Sequence, residues 1–122
     1  VYTALNKDRS DDCGVANMKV IKNKDLDKKI IVMDLLGPSL ESILSDRKKL
    51  RLKSVILLGI QMLELMKYVH ERGYLHRDIK PDNFVMGRDE DRMKLYCIDF
   101  GLAKKYLKRN GDQEVNKKYS DS

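Results

Sequence analysis

Cysteine is scarce in this sequence: Cys13 and Cys97 are the only two, far apart and outside any metal-type spacing. That argues against a disulfide framework or a zinc site, and two buried or free thiols fit a reducing compartment. Long apolar runs are missing too; none approaches the roughly 18 residues that a membrane-spanning helix needs. No basic stretch followed by an apolar core opens the chain, so no signal peptide is expected. An initiator Met is lacking, which gives the expectation that these 122 residues are a fragment. Internal repeats and low-complexity tracts are absent. So is the interleaving of aromatic and basic residues that would mark a nucleic-acid binder.

What is present suits a soluble globular domain or a piece of one: 42% hydrophobic and 36% charged residues. The net charge of +6 favours anionic partners, although a lysine-rich solvated surface explains it equally well. Along the chain, Val1–Leu5 predicts the tail of a strand, and Asn6–Gly14 a turn. Val15–Ile21 predicts a second strand, Lys22–Lys29 a charged link, and Ile30–Leu36 a buried strand stopped by Gly37-Pro38. Ser39 is placed to cap a short helix running to about Asp46. From Lys53 to Arg72, apolar residues recur at Val55, Ile56, Ile60, Leu63, Met66 and Val69, the pattern of an amphipathic helix ending at Gly73. Gly59 weakens that helix by about 1 kcal/mol relative to Ala and would permit a close approach of another element. Phe84–Met86 and Lys94–Ile98 predict a hairpin. Asp99 onward reads as loop, with Lys104, Lys105, Lys108 and Arg109 giving a basic stretch and Asn110–Ser122 poorly ordered.

Two short runs carry chemistry: His76-Arg77-Asp78-Ile79-Lys80-Pro81-Asp82-Asn83 and Asp99-Phe100-Gly101. Phosphoryl transfer needs a group that orients the attacking hydroxyl, cations that neutralise phosphate charge, and acids that hold those cations. Asp78 can orient a hydroxyl and accept its proton. Lys80, two residues on, can stabilise charge on the transferred phosphate. Asn83 and Asp99 offer oxygen ligands for a hard cation such as Mg²⁺. They flank the predicted hairpin at its entry and exit, so antiparallel pairing would bring them together. Gly101 would let the chain turn sharply after Asp99. A lone His is more often a core hydrogen-bonding residue than a catalyst, and His76 is assigned that structural role. Arg77 is assigned to loop or phosphate contacts.

These motifs, together with Val32–Glu41 (VMDLLGPSLE), His76–Gly87 (HRDIKPDNFVMG) and Ile98–Tyr106 (IDFGLAKKY), resemble the eukaryotic protein-kinase family and within it the casein kinase 1 group. The resemblance is close over Ile30–Tyr106. The tau-tubulin kinase branch is similar but ranks second. The resemblance implies an α+β protein-kinase-like fold, incomplete here: N-lobe strands and hinge over residues 1–36, a C-lobe catalytic core over 37–106, and a truncated activation segment over 107–122. It implies ATP and Mg²⁺ as cofactors, with Asp78 as catalytic base, Lys80 on the phosphate, and Asn83 and Asp99 as metal ligands. Met33 would back the adenine pocket. Asp34 and Leu36 would give it backbone hydrogen bonds, and Val85 and Ile98 its apolar floor.

The chain departs from the family pattern in three places. No Gly-rich phosphate loop is present. Val15–Val20 (VANMKV) resembles the family's lysine-bearing strand, making Lys19 the candidate for the α- and β-phosphates. The family's helix with a glutamate partner, expected between that strand and Ile30, is not evident; only Asp25 and Asp27 lie there. The expected activity is serine/threonine phosphorylation of acidic or pre-phosphorylated protein substrates in the cytoplasm or nucleus, weak or absent in this chain alone. The alternative is a non-catalytic kinase-like module that binds nucleotide or a protein partner. No nucleic-acid partner and no membrane span are expected.

Overall fold

The computed structural model describes residues 1–7, 13–23, 27–110 and 113–116. Residues 8–12 of the expected turn, 24–26 of the expected link, and 111–112 and 117–122 of the expected tail lie outside it.

The first segment departs from expectation. Tyr2–Asn6 is one turn of helix, α1, and not a strand. Five residues do not hold a helix in water by themselves, so tertiary contacts supply the stability. Leu5 is fully buried in the main core, and the Tyr68 hydroxyl donates to its carbonyl at 2.8 Å. Tyr2 meets Phe100 edge-on, ring centroids 6.0 Å apart.

The expected strand Val15–Ile21 is split. Val15 bridges Cys97 in parallel, and both Val15 and Ala16 are buried. The strand proper, β1, spans Met18–Asn23 and pairs antiparallel with β2, Lys28–Met33, with Lys19 opposite Val32. Lys22 and Lys29 therefore belong to the hairpin and not to a link. Every residue of β2 is exposed, although its composition predicts a buried strand. Composition reports what a strand can bury, whereas burial needs a covering layer; among the described residues β1 and β2 form a two-stranded sheet.

Helix α2, Leu40–Arg47, begins as predicted: Ser39 Oγ accepts the Ser42 N–H at 3.1 Å. Helix α3, Leu52–Glu71, is followed by Gly73 at φ 79°, a left-handed turn that favours glycine. Only Leu65 and Val69 of α3 are buried; Val55, Ile56, Leu57, Ile60 and Leu63 face solvent. A Cβ at Gly59 would meet nothing within 4 Å, so the close approach expected there is not made.

The hairpin is present. β4, Phe84–Met86, pairs antiparallel with β5, Leu95–Cys97. Phe84, Leu95, Cys97 and Phe100 join Leu5, Val15, Leu65 and Val69 in one core cluster. Beyond Asp99 the chain is more ordered than predicted. A short strand β3, Tyr74–Leu75, pairs with β6, Lys104–Lys105, and the Tyr106 N–H donates to the Gly73 carbonyl at 3.0 Å. β7, Leu107–Asn110, pairs with β8, Gln113–Asn116.

Candidate active site

The loop between β3 and β4 is organised by one buried ring. His76 is 1% exposed. Its Nδ1 accepts the Asp78 N–H at 3.2 Å. The proton must then sit on Nε2, which donates to the Ile98 carbonyl at 3.0 Å. The same ring meets Phe100 edge-on at 5.0 Å. His76 thus joins Asp78 of one loop to the segment that carries Asp99, in keeping with its structural assignment. Arg77 takes a left-handed conformation, φ 65°, and its Nε donates to the Leu102 carbonyl at 2.7 Å. Asp99 is also left-handed, φ 58°. Such backbone is costly for non-glycine residues and gathers at functional sites.

Asp78 is the hub of the loop. Its Oδ2 lies 3.2 Å from Lys80 Nζ and accepts from Asn83 Nδ2 at 3.0 Å. Asn83 Nδ2 donates as well to the Asp78 carbonyl at 2.8 Å. The Lys80 hydrogen bond first, and the Asn83 hydrogen bond second, hold the Asp78 carboxyl below the usual carboxylate range. Asp78 is therefore an anion at neutral pH. Its lowered basicity suits it to orient a hydroxyl more than to take its proton early.

Asn83 is buried at the end of a single 3-10 turn, Pro81–Asn83. Because two oxygens receive its Nδ2, its amide oxygen Oδ1 is the atom left for a cation. The Asn83 carbonyl accepts the Ile98 N–H at 2.9 Å, which sets Asp99 immediately beyond the hairpin's last bond. Asp99 is exposed, and its Oδ1 accepts the Gly101 N–H at 3.1 Å. The sharp turn is thus made by Asp99 itself. Gly101, whose φ is not in the left-handed region, is needed for space, since a Cβ there would lie 3.0 Å from that Oδ1. One carboxylate and one amide oxygen fit Mg²⁺, which takes one or two protein ligands and completes its shell with phosphate and water. Among the described residues no three His, Cys, Asp or Glu side chains gather into a metal centre. Burial, and then the Asp99 charge, push the nearby Cys97 thiol up to about 12, so it is not a nucleophile.

A second apolar cluster forms beside this loop from Ala16, Val85 and Tyr96, with Met18, Leu36 and Ile98 packed against it. It gathers three of the expected pocket residues, Leu36, Val85 and Ile98. Ala16 and Met18 were not singled out in the sequence; their only signal was hydrophobicity in a short irregular segment. Met33 and Asp34 are exposed, and the Asp34 N–H donates to the Asn17 carbonyl at 3.3 Å.

Lys19 is not drawn into the group. It is exposed on β1, and among the described residues no hydrogen bond or ion pair joins it to Asp78, Asn83 or Asp99. The order of elements also differs from the expectation behind it. A helix is present, but it precedes β1. The family pattern of lysine strand, helix, then hinge strand therefore does not place its lysine on β1. Val15 and Ala16 leave the strand because β5 draws them into the core, which removes the continuous strand that the motif match needed.

A helical layer, a catalytic-type loop closed by a β-hairpin and a carboxylate at the hairpin's exit define a phosphotransferase-type core. Residues 12–120 match the family described as Protein kinase domain. The chain belongs to the protein kinase domain family, and its α+β architecture is an incomplete form of that fold. This family acts on protein substrates with a nucleotide as phosphate donor. Among the described residues no helix is long and apolar enough to cross a membrane.

Proposed function

We propose that this chain carries the catalytic centre of an ATP-dependent serine/threonine protein kinase of casein kinase 1 type. The observation that carries the proposal is the convergence of Lys80 Nζ and Asn83 Nδ2 on one carboxylate oxygen of Asp78. Asp78 orients the substrate hydroxyl. Lys80 lies where it can shift from Asp78 to the transferred phosphate. Asn83 Oδ1 and Asp99 hold Mg²⁺, which neutralises charge on the phosphates. Leu36, Val85 and Ile98 supply apolar surface for adenine, with Met33 and Asp34 at its edge. The serine/threonine assignment and the group rest on the resemblance of His76–Gly87 and Val32–Glu41. A preference for acidic or pre-phosphorylated substrates, and a cytoplasmic or nuclear location, belong to the same proposal.

The test is phosphate transfer from Mg-ATP to casein by the full-length gene product. Transfer abolished by Asp78→Asn supports the proposal; transfer unaffected by that change refutes it. A second function is favoured by the exposed β2 face: nucleotide binding without transfer. Calorimetric binding of Mg-ATP with no transfer to any protein would select it, and turnover in the kinase range of about 1–100 s⁻¹ would exclude it.

A further inference from the structure

A groove of about 700 Å³ lies between α2, α3 and the β4–β5 connection, lined by none of the residues assigned to phosphate transfer. Its size falls within the range of about 300–1,000 Å³ typical of ligand sites. Ile43 of α2, Leu57 and Ile60 of α3, and Met93 of the connection give it an aliphatic lining. Leu57, Ile60 and Met93 remain exposed, so apolar surface is left open to water.

The walls are braced. Gln61 Nε2 donates to the Met93 carbonyl at 3.2 Å, and Gln61 Oε1 accepts the Leu95 N–H at 2.8 Å. On the other side the Met86 N–H donates to the Pro38 carbonyl at 2.9 Å, and the Gly37 N–H to the Met86 carbonyl at 2.7 Å. A site built this way needs little ordering when it binds.

The charge of the lining has one sign. Arg47, at the end of α2, and Arg92, after the 3-10 turn Asp89–Asp91, are its charged residues, and no acid lines it. Asp89, Glu90 and Asp91 stand next to Arg92 in the chain but outside the lining. Among the described residues neither guanidinium is held in an ion pair. A guanidinium fork matches a carboxylate with two parallel hydrogen bonds. An aliphatic floor with two such forks complements an apolar segment that carries carboxylates. Nucleic acid would need a longer track of cations and stacking rings, and the lining holds no aromatic residue.

We infer that this groove docks an acidic, leucine-bearing linear segment of a partner protein. The inference concerns binding alone and stands apart from phosphate transfer. It is tested by fluorescence anisotropy of the full chain with a labelled peptide of leucines and glutamates, beside the same peptide with lysine for glutamate. Saturable binding of the acidic peptide only is expected, weakened about tenfold by Arg47→Glu or Arg92→Glu and weakened by added salt. Ile60→Asp, a solvent-facing change, should weaken it as well. Absence of saturable binding, equal binding of the lysine peptide, or binding unchanged in all three variants would overturn the inference. Self-association of the chain that these variants abolish, without peptide binding, would overturn it in favour of a second copy as the occupant.

Discussion

The backbone carbonyl of Asn83 accepts the N–H of Ile98 at 2.9 Å, closing the β4–β5 hairpin on the side of the catalytic-type loop. This single bond sets an amide side chain and, one residue further, the Asp99 carboxylate at the same end of two paired strands. His76 adds a second tie to Ile98 through its carbonyl. The site is thus held by backbone hydrogen bonds of the hairpin and one buried imidazole.

Replacing His76 by Ala should loosen this arrangement. The Asp78 N–H and the Ile98 carbonyl would lose their partner, each at a cost of about 1–3 kcal/mol if left unsatisfied. Urea denaturation should show the loss. Stability unchanged within about 0.5 kcal/mol would mean that the ring does not bridge the two segments.

The Asp78 carboxyl should titrate below the ordinary aspartate value of about 3.9. Because its folded pKa is depressed, its contribution to stability is present above the unfolded value and is lost as pH falls through the folded one. Lys80→Ala removes the largest cause of the depression and should move the carboxyl resonance's midpoint upward. Asn83→Ala should do so to a smaller extent. NMR titration of the side-chain carboxyl measures both, and a midpoint unmoved by Lys80→Ala would contradict the assigned hydrogen bond.

Helix α1 offers a test of the corrected N-terminal segment. Leu5→Ala should destabilise the chain by about 2–5 kcal/mol, the range for truncating a buried leucine. A change near zero would mean that Leu5 is not held in the core.

Lys19→Ala should leave Mg-ATP affinity within about twofold of the parent, since Lys19 is exposed on β1 and makes no contact with the site loops. Calorimetry decides this. A loss of tenfold or more would restore Lys19 as the phosphate-contacting lysine.

The parts legible in the sequence were those fixed by local chemistry. The His76–Asn83 run, the hairpin, the Ser39 cap and the Gly73 stop each depend on residues near one another in the chain. Helix α1 was not legible: five residues show no periodicity, and Leu5 is helical because Tyr68, Tyr2 and Phe100 hold it there. The exposure of β2 was not legible either, since Ile30, Ile31 and Val32 are as apolar as any core strand. The match of Val15–Val20 to a lysine strand counts residue types and does not disclose the bridge from Val15 to Cys97. The turn at Asp99 was assigned to Gly101 on composition, while the backbone places it on the aspartate.

The central claim is that Asp78, supported by Lys80 and Asn83, orients the hydroxyl that receives phosphate. The most direct test is the initial rate of radiolabel transfer from Mg-ATP to casein, measured for the full-length gene product and its Asp78→Asn variant at equal folded concentration. The account predicts measurable transfer by the parent and a fall of about 10²–10⁴-fold in the variant. Equal rates from the two proteins would contradict it.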